Sequence, residues 1–215
     1  MATETDVAPV ALDPPATDQP IPVARPATGM PGPPQGQWTY DDFLALPDDP
    51  TDFNRYEVIE GVLYESPSPA PRHQRRLFRL CSMLETFIRA GQLGELFIAP
   101  LDLVMPGATP VQPDAFFIAR DNPAVIDDDQ RVEGLPDLVI EVASPSTAGY
   151  DRREKQDAYA RAGVPEYWIV DPVGVTIEPL RLEPEARRYQ SLGVFAGRGR
   201  LPTVALKGLP YTVQE

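Results

Sequence analysis

The stretch of sequence that decides the fold is residues 135–172, LPDLVIEVASPSTAGYDRREKQDAYARAGVPEYWIVDP. It contains a short, β-branched apolar run at 138–143, bounded by prolines, which predicts a buried strand. Glu141 interrupts this run. Because an ionised carboxylate is costly to bury without compensation, Glu141 is expected to meet a cation or to lie at the solvated end of the strand.

A helix is predicted to follow over residues 151–162, stopped by Gly163 and Pro165. One face carries residues at spacings of three and four, namely Asp151, Lys155, Ala158, Tyr159 and Ala162. The small and aromatic members predict that this face packs on the sheet, with Lys155 near the helix start and within reach of Glu141. A further strand at 166–171 then completes a strand-helix-strand unit.

Lysine is rare in this chain, which draws attention to Lys155. Every arginine or lysine position other than Lys155 and Lys207 is Arg. Lysine differs from arginine in carrying a compact ammonium that can be directed at one water or one oxygen. A lysine on an inward helix face therefore suggests a site that needs this chemistry, although an ordinary salt bridge to Asp151 or Glu141 fits the spacing equally well.

Length, charge and cysteine content limit the class of protein. The 215 residues suit one domain with a sizeable core. A formal net charge of −13 argues against a broad nucleic-acid-coating surface, but it leaves room for an enzyme with a local basic cleft and a metal. Cys81 is the single cysteine, so no internal disulfide can form. With no transmembrane-length apolar run and no signal-peptide pattern, we predict a cytoplasmic protein without membrane association.

The chain divides into a predicted disordered tail at 1–37, rich in Pro, Ala, Thr and Gly, and a single domain at 38–215. The domain is predicted to open with a short helix capped by Thr39. Two strand-like runs around Gly61 predict a bulge or a tight hairpin. Glu57 and Glu60 lie on opposite faces of a regular strand, so at most one should face a site, and a solvated edge acid is the alternative for each.

A long amphipathic helix is predicted over residues 72–90. The only histidine, His73, shares its apolar stripe at the first turn. It is expected to be either a half-buried packing residue or a proton carrier or substrate contact at the mouth of a site.

Strands are predicted over 96–105, 111–118, 175–182, 188–195 and 201–206. Asp114 stands near the start of one of them, before strongly apolar residues, where it could reach a site or simply form a turn. The three consecutive aspartates at 127–129 are predicted to be a solvated loop and not a metal cluster.

Asp114, Glu141 and Lys155 together form a candidate catalytic set. Carboxylate oxygens are hard ligands that suit Mg²⁺ or Mn²⁺. A bound ion would neutralise a phosphodiester and lower the pKa of a coordinated water, while an ammonium could orient that water or stabilise developing negative charge. This set predicts hydrolysis of phosphodiester bonds.

Several segments resemble the Uma-two restriction-endonuclease family, in the same order from residue 38 to the C-terminus. They are YEVIEG at 56–61, PRHQ at 71–74, QPD at 112–114, LVIEVASPST at 138–147, DRREK at 151–155 and GVPEYWIVDP at 163–172. The block at 135–172 is specific to the family, whereas a lone PD or EG is weak. The N-terminal tail lies outside the resemblance.

The resemblance implies the PD-(D/E)XK nuclease superfamily and its fold, a mixed central β-sheet flanked by helices in the α/β or α+β class, here with extra C-terminal strands. It identifies Asp114 as the PD acid and Glu141 as the acid of the second half-motif, both as metal ligands. Ala143 stands where the simple pattern has lysine, and Lys155 from the next helix takes that role. Glu57 resembles an additional acid of the family, and His73 its helix-borne polar residue.

These observations lead us to predict a Mg²⁺- or Mn²⁺-dependent endonuclease acting on nucleic acid, with DNA as the expected substrate. One alternative is a catalytically inactive binding or regulatory module, which the acidic charge and scarce lysines favour. Another is hydrolysis by two carboxylates without a metal, which would survive EDTA. Cleavage of both strands would favour a homodimer, yet no stretch identifies an interface.

Overall fold

The computed structural model of the chain describes residues 25–47, 49, 51–106, 110–127, 131–143, 154–184 and 186–213. The helices within these ranges are α1 (Tyr40–Leu44), α2 (Pro71–Gly91) and α3 (Gln156–Ala162). The strands are β1 (Arg25–Pro26), β2 (Arg55–Ile59), β3 (Val62–Ser66), β4 (Gly94–Ile98), β5 (Asp102–Val104), β6 (Ala115–Ala119), β7 (Val125–Ile126), β8 (Arg131–Glu133), β9 (Leu138–Val142), β10 (Glu166–Asp171), β11 (Thr176–Leu182), β12 (Tyr189–Ser191) and β13 (Phe195–Ala196).

The largest sheet has the strand order β12-β11-β10-β9-β6-β4, and β13 also pairs with β11. Strands β9 and β10 run parallel, while β6 and β11 run antiparallel to them on either side. Helix α3 lies between β9 and β10 in the chain, so the predicted strand-helix-strand unit is confirmed. The predicted mixed sheet with flanking helices and additional C-terminal strands is confirmed as well.

The two faces of this sheet bury different helices. On one face, apolar residues of α2 such as Leu77, Leu84 and Ile88 pack against Leu138 and Ile140 of β9. On the other, Tyr159 of α3 packs with β-strand residues that alternate with these, including Val139. Because side chains alternate across a strand, β9 serves both helices and all five of its residues are buried.

Helix α2 runs from Pro71 to Gly91, close to the predicted 72–90, and ends with Gln92 in the left-handed region at φ 51°. Helix α3 ends as predicted at Gly163, which is also left-handed at φ 95°. The described helices include none that is long and apolar enough to cross a lipid bilayer.

The predicted tight hairpin joins β2 to β3 through Glu60 and Gly61, which have φ values of 51° and 75°. Two consecutive positive φ values fit the short hairpin turn that matches the twist of the strands. The hairpin also gives Glu57 and Glu60 different surroundings. Glu60 is exposed at the tip and pairs with Arg161, whereas Glu57 faces inward from β2.

Residues 25–37 extend this hairpin, because β1 pairs with β3. Gln35 holds this segment against β3 through two hydrogen bonds. Its amide nitrogen donates to Ala27 O at 2.7 Å, and its amide oxygen accepts from Leu63 N at 2.8 Å. This placement differs from the predicted disorder of residues 25–37. The remainder of the predicted tail, 1–24, lies outside the described residues, and the division at residue 38 stays a prediction.

Four strand predictions need correction. The strand predicted over 188–195 is two short strands, β12 and β13, which both pair with β11. Residues 201–206 form turns and not a strand. The backbone N–H groups of Val204 and Ala205 donate to the Glu166 carboxylate and so do not pair with a neighbouring strand. The strand predicted over 96–105 is two strands, since β4 pairs with β6 while β5 pairs with β8 in a separate sheet. The strand predicted from Val111 begins only at Ala115. Asp151, Asp128 and Asp129 lie outside the described residues.

Candidate active site

The site lies where β6 begins and β9 ends. These strands are antiparallel, and Ala115 pairs with Ile140. Continuing this register by one pair sets Asp114 opposite Glu141, where side chains on neighbouring strands share a face. Asp114 also contacts the end of β9 directly, because the backbone N–H of Val142 donates to Asp114 Oδ2 at 2.9 Å.

Asp114 is buried, with 4% of its surface exposed. His73 Nε2 lies 3.0 Å from Asp114 Oδ2, and since an ionised carboxylate only accepts, this ring nitrogen carries the proton. Arg55 Nη1 lies 3.6 Å from the other oxygen, Oδ1. Burial by itself would raise the pKa of Asp114, but the hydrogen bond and charge of His73, the charge of Lys155 and the Val142 N–H together hold it below its usual range.

Lys155 lies between two acids at the start of α3. Its Nζ is 2.9 Å from Glu141 Oε1 and 3.1 Å from Glu57 Oε2. Lys155 is 6% exposed and Glu141 is 3% exposed, so both charged residues are buried and each compensates the other. Of the two outcomes predicted for Glu141, a cation or the solvated end of the strand, the structure shows the cation, which is Lys155.

Tyr159 lies one helical turn beyond Lys155 and binds the same acid. Its hydroxyl donates to Glu141 Oε1 at 2.8 Å. Burial, followed by the charges of Glu141 and Glu57, raises the pKa of Tyr159 well above its ordinary value. Tyr159 therefore stays a neutral hydrogen-bond donor.

Glu57 connects the hairpin to the site. Its Oε1 accepts from Gln112 N at 3.1 Å, two residues before Asp114 in the chain. Arg55, two residues earlier on β2, shares the face of Glu57 and donates to Gln112 O at 3.4 Å as well as approaching Asp114. The hairpin thus contributes one acid and one guanidinium.

All five residues predicted to form the site are brought together by these contacts: Glu57, His73, Asp114, Glu141 and Lys155. Their catalytic and metal-binding roles stay predictions. From the sequence, no role is predicted for Arg55, and Tyr159 is predicted only to pack against the sheet. Alternation along β2 could have pointed to Arg55, because it stands two residues from Glu57, and the helical spacing could have pointed to Tyr159, because it stands four residues from Lys155.

The donor chemistry fits a hard divalent cation. Among the described residues there is no group of three or more His, Cys, Asp and Glu side chains that could hold a metal ion. The adjacent carboxylates of Asp114 and Glu141 suit Mg²⁺, which proteins often bind through one or two carboxylates together with substrate phosphates and water.

The chain matches one family of known proteins and is similar to two individual proteins. The Uma2 family, described as "Putative restriction endonuclease", matches residues 40–214. An uncharacterized protein of Synechocystis sp. is 28% identical over 124 residues, which cover 57% of this chain and 69% of that protein. A solved structure, described as a "putative nuclease belonging to DUF820" from Anabaena variabilis, superposes with a TM-score of 0.64 at 20% identity over 82% of this chain and 96% of that chain. The last likeness shows a shared fold.

Proposed function

The chain belongs to the Uma2 family, and from this premise we propose that it is a divalent-metal-dependent endonuclease that hydrolyses phosphodiester bonds in DNA. The observation that supports this best is the buried Lys155 ammonium, which contacts Glu57 and Glu141. Three acids and one ammonium, brought together from β2, the start of β6, β9 and the start of α3, form an arrangement that structural stability alone does not require.

Asp114 and Glu141 would hold Mg²⁺ or Mn²⁺. When bound, such an ion neutralises phosphodiester charge and lowers the pKa of a coordinated water. His73 and the Val142 N–H both bind Asp114 Oδ2, so they fix the orientation of this carboxylate before any substrate arrives.

Lys155 supplies a positive charge at a fixed position. Glu57 and Glu141 hold its Nζ from two sides, which limits movement of the side chain. In the proposed reaction this ammonium orients the attacking water or stabilises the negative charge that develops on the phosphate oxygens.

His73 offers a second polar contact. Its Nε2 binds Asp114, whereas its Nδ1 is buried and has no hydrogen-bond partner within the part of the chain that the structure describes. Buried ring nitrogens are normally satisfied. We assign this nitrogen to a substrate or solvent group in the working enzyme.

The experiment that tests this function is plasmid nicking by the purified full chain with Mg²⁺ or Mn²⁺, with EDTA as the metal-free arm. Nicking that needs the metal and disappears in Lys155→Ala is expected. Lys207→Ala is the matched control, because Lys207 is the only other lysine and is exposed. Equal nicking by the two variants would overturn the assigned mechanism, and nicking that survives EDTA would indicate a two-carboxylate mechanism.

An inactive module with the nuclease fold is the second candidate. It is favoured by the occupied carboxylates, since Asp114 Oδ2 and Glu141 Oε1 each accept from two protein donors. Titration calorimetry with Mn²⁺ separates the two. Absence of both heat and a change in melting temperature would support the inactive module, because a ligand that binds the folded state raises its stability.

A further inference from the structure

The outward face of α2 carries a cluster of arginines in an otherwise acidic chain. Arg72, Arg75, Arg76 and Arg79 stand at spacings of three, four and seven residues, which places them on one face of the helix. We call this set the arginine face. Arg72, Arg75 and Arg79 are exposed and Arg76 is half-buried.

This face is unbalanced. Helix α2 contains five arginines against a single glutamate, Glu85, while the whole chain has a formal net charge of −13. Arg89, near the other end of α2, pairs with Glu85 at 3.3 Å. Within the described residues, none of the four members of the arginine face forms an ion pair with a carboxylate.

The position of these charges is also unfavourable for the helix. The first turn of α2 has no acidic residue, and its N-cap, Ala70, makes no side-chain capping hydrogen bond. The N-terminal end of a helix is its positive end, so cations there are repelled. Like charges at a spacing of four, as in Arg72 and Arg76, repel each other too. A bound polyanion would relieve both effects.

One end of the arginine face adjoins the candidate active site. His73, next to Arg72 in the first turn, turns inward and binds Asp114. Arg72 and Arg79 are separated by about 10 Å along the helix axis at 1.5 Å per residue. Duplex DNA places phosphates about 3.4 Å apart along the axis of each strand, so the face is long enough to follow about three of them.

We propose that the arginine face of α2 binds the phosphate backbone of the DNA substrate and leads it to Asp114, Glu141 and Lys155. The identity of the polyanion rests on the proposed function. This local basic surface also explains how so acidic a protein could bind nucleic acid, since the binding charge is confined to one helix beside the site.

The test is fluorescence anisotropy with a short fluorescein-labelled DNA duplex in EDTA, over a series of salt concentrations. The variant is Arg72→Gln with Arg75→Gln. The control is Arg187→Gln with Arg188→Gln, which removes the same charge from an exposed segment remote in sequence. Each lost phosphate contact lowers the magnitude of the slope of log K against log salt by about 0.9. For the α2 variant, which lacks two arginines, we expect the magnitude of this slope to fall by about 1.8 and the affinity at low salt to fall roughly tenfold or more. The control should keep the slope and affinity of the unaltered chain.

Equal losses in the two variants, or no binding of the duplex by the unaltered chain, would overturn the proposal. Binding to phosphatidylserine vesicles in place of DNA would overturn it as well. Arginine-dependent binding without metal-dependent nicking would leave this inference standing and refute the endonuclease, whereas nicking with binding insensitive to the α2 variant would do the reverse.

Discussion

Glu141 and Glu166 lie on the neighbouring parallel strands β9 and β10 and are buried alike, at 3% and 1% exposure. Their partners differ in kind. Glu141 binds the Lys155 ammonium and the Tyr159 hydroxyl. Glu166 binds neutral N–H groups, with Trp168 Nε1 at 2.7 Å on one oxygen and Val204 N and Ala205 N at 2.7 and 3.0 Å on the other.

The difference shows that burial of a carboxylate is not by itself a sign of chemistry. The N–H groups that bind Glu166 tie a C-terminal turn to the sheet, which is a structural task. Glu141 instead shares its cation with a second acid, Glu57, beside a third, Asp114. We therefore expect loss of Glu141 to remove function and loss of Glu166 to remove stability.

The largest expected effect is on cleavage. Glu141→Gln should lower the rate of metal-dependent plasmid nicking on the order of 100- to 1000-fold, because loss of one well-placed charged group at a reaction centre has this magnitude. Glu166→Gln, assayed at a temperature where it is folded, should nick at the unaltered rate. Similar rates for the two variants would break the comparison.

The second effect is the loss of stability expected when Glu166 is changed. Glu166→Gln should lower the free energy of unfolding by about 2–4 kcal/mol. The N–H donors around residue 166 would lose a charged acceptor, and some of them would face the amide nitrogen of Gln, which cannot accept. Urea denaturation followed by circular dichroism measures this. Glu166→Asp, which keeps the charge on a shorter side chain, serves as the companion variant, and a loss below about 0.5 kcal/mol in Glu166→Gln would count against a structural role.

Tyr159→Phe sharpens the comparison within the Glu141 cluster. The variant removes one neutral donor and leaves the Lys155 ammonium in place, so we expect a loss of about 1–2 kcal/mol in unfolding free energy. Nicking should fall no more than about tenfold, which corresponds to about 1.4 kcal/mol. A loss of nicking as large as in Glu141→Gln would show that the hydroxyl takes part in the reaction.

Asp114 adds a test with pH. Its pKa is held below the ordinary 3.8, so the folded state binds its proton less readily than the unfolded state. The stability this provides is complete above pH 3.8 and is lost as pH falls below that value toward the folded pKa. Asp114→Asn should therefore reduce the steepness of acid destabilisation by at most about 1.4 kcal/mol per pH unit. Identical slopes in urea titrations below pH 4 would contradict the assignment.

The smallest effect concerns the exposed pair at the hairpin tip. Arg161 and Glu60 are about half exposed, so Arg161→Gln should change unfolding free energy by less than about 1 kcal/mol. Nicking should be unchanged, because Glu60 pairs with Arg161 and is exposed, whereas Glu57 pairs with the buried Lys155. A marked loss of nicking would mean that the outer acid of the hairpin matters after all.

Much of the site could be predicted because its local signals are strong. Helical spacing placed Lys155 on the inward face of α3, and the apolar stripe placed His73 inward at the first turn of α2. Both lie on elements whose faces follow from a 3.6-residue period. Alternation along the strand does not choose between Glu57 and Glu60, and only the family resemblance indicates Glu57, because the choice depends on the turn at Gly61 and on which strand edge the hairpin meets.

The sequence by itself determined the strand-helix-strand unit, the need of Glu141 for a cation or for solvent, and the faces of the two main helices, because periodicity and burial costs act over a few residues. Only the tertiary structure decided that Arg55 reaches Asp114, 59 positions on in the printed sequence, and that Val204 and Ala205 turn their N–H groups to Glu166 in place of forming a strand. The pattern of residues within a helix or strand predicts which face of that element a side chain lies on. Which distant element lies opposite is set by the packing of the whole chain.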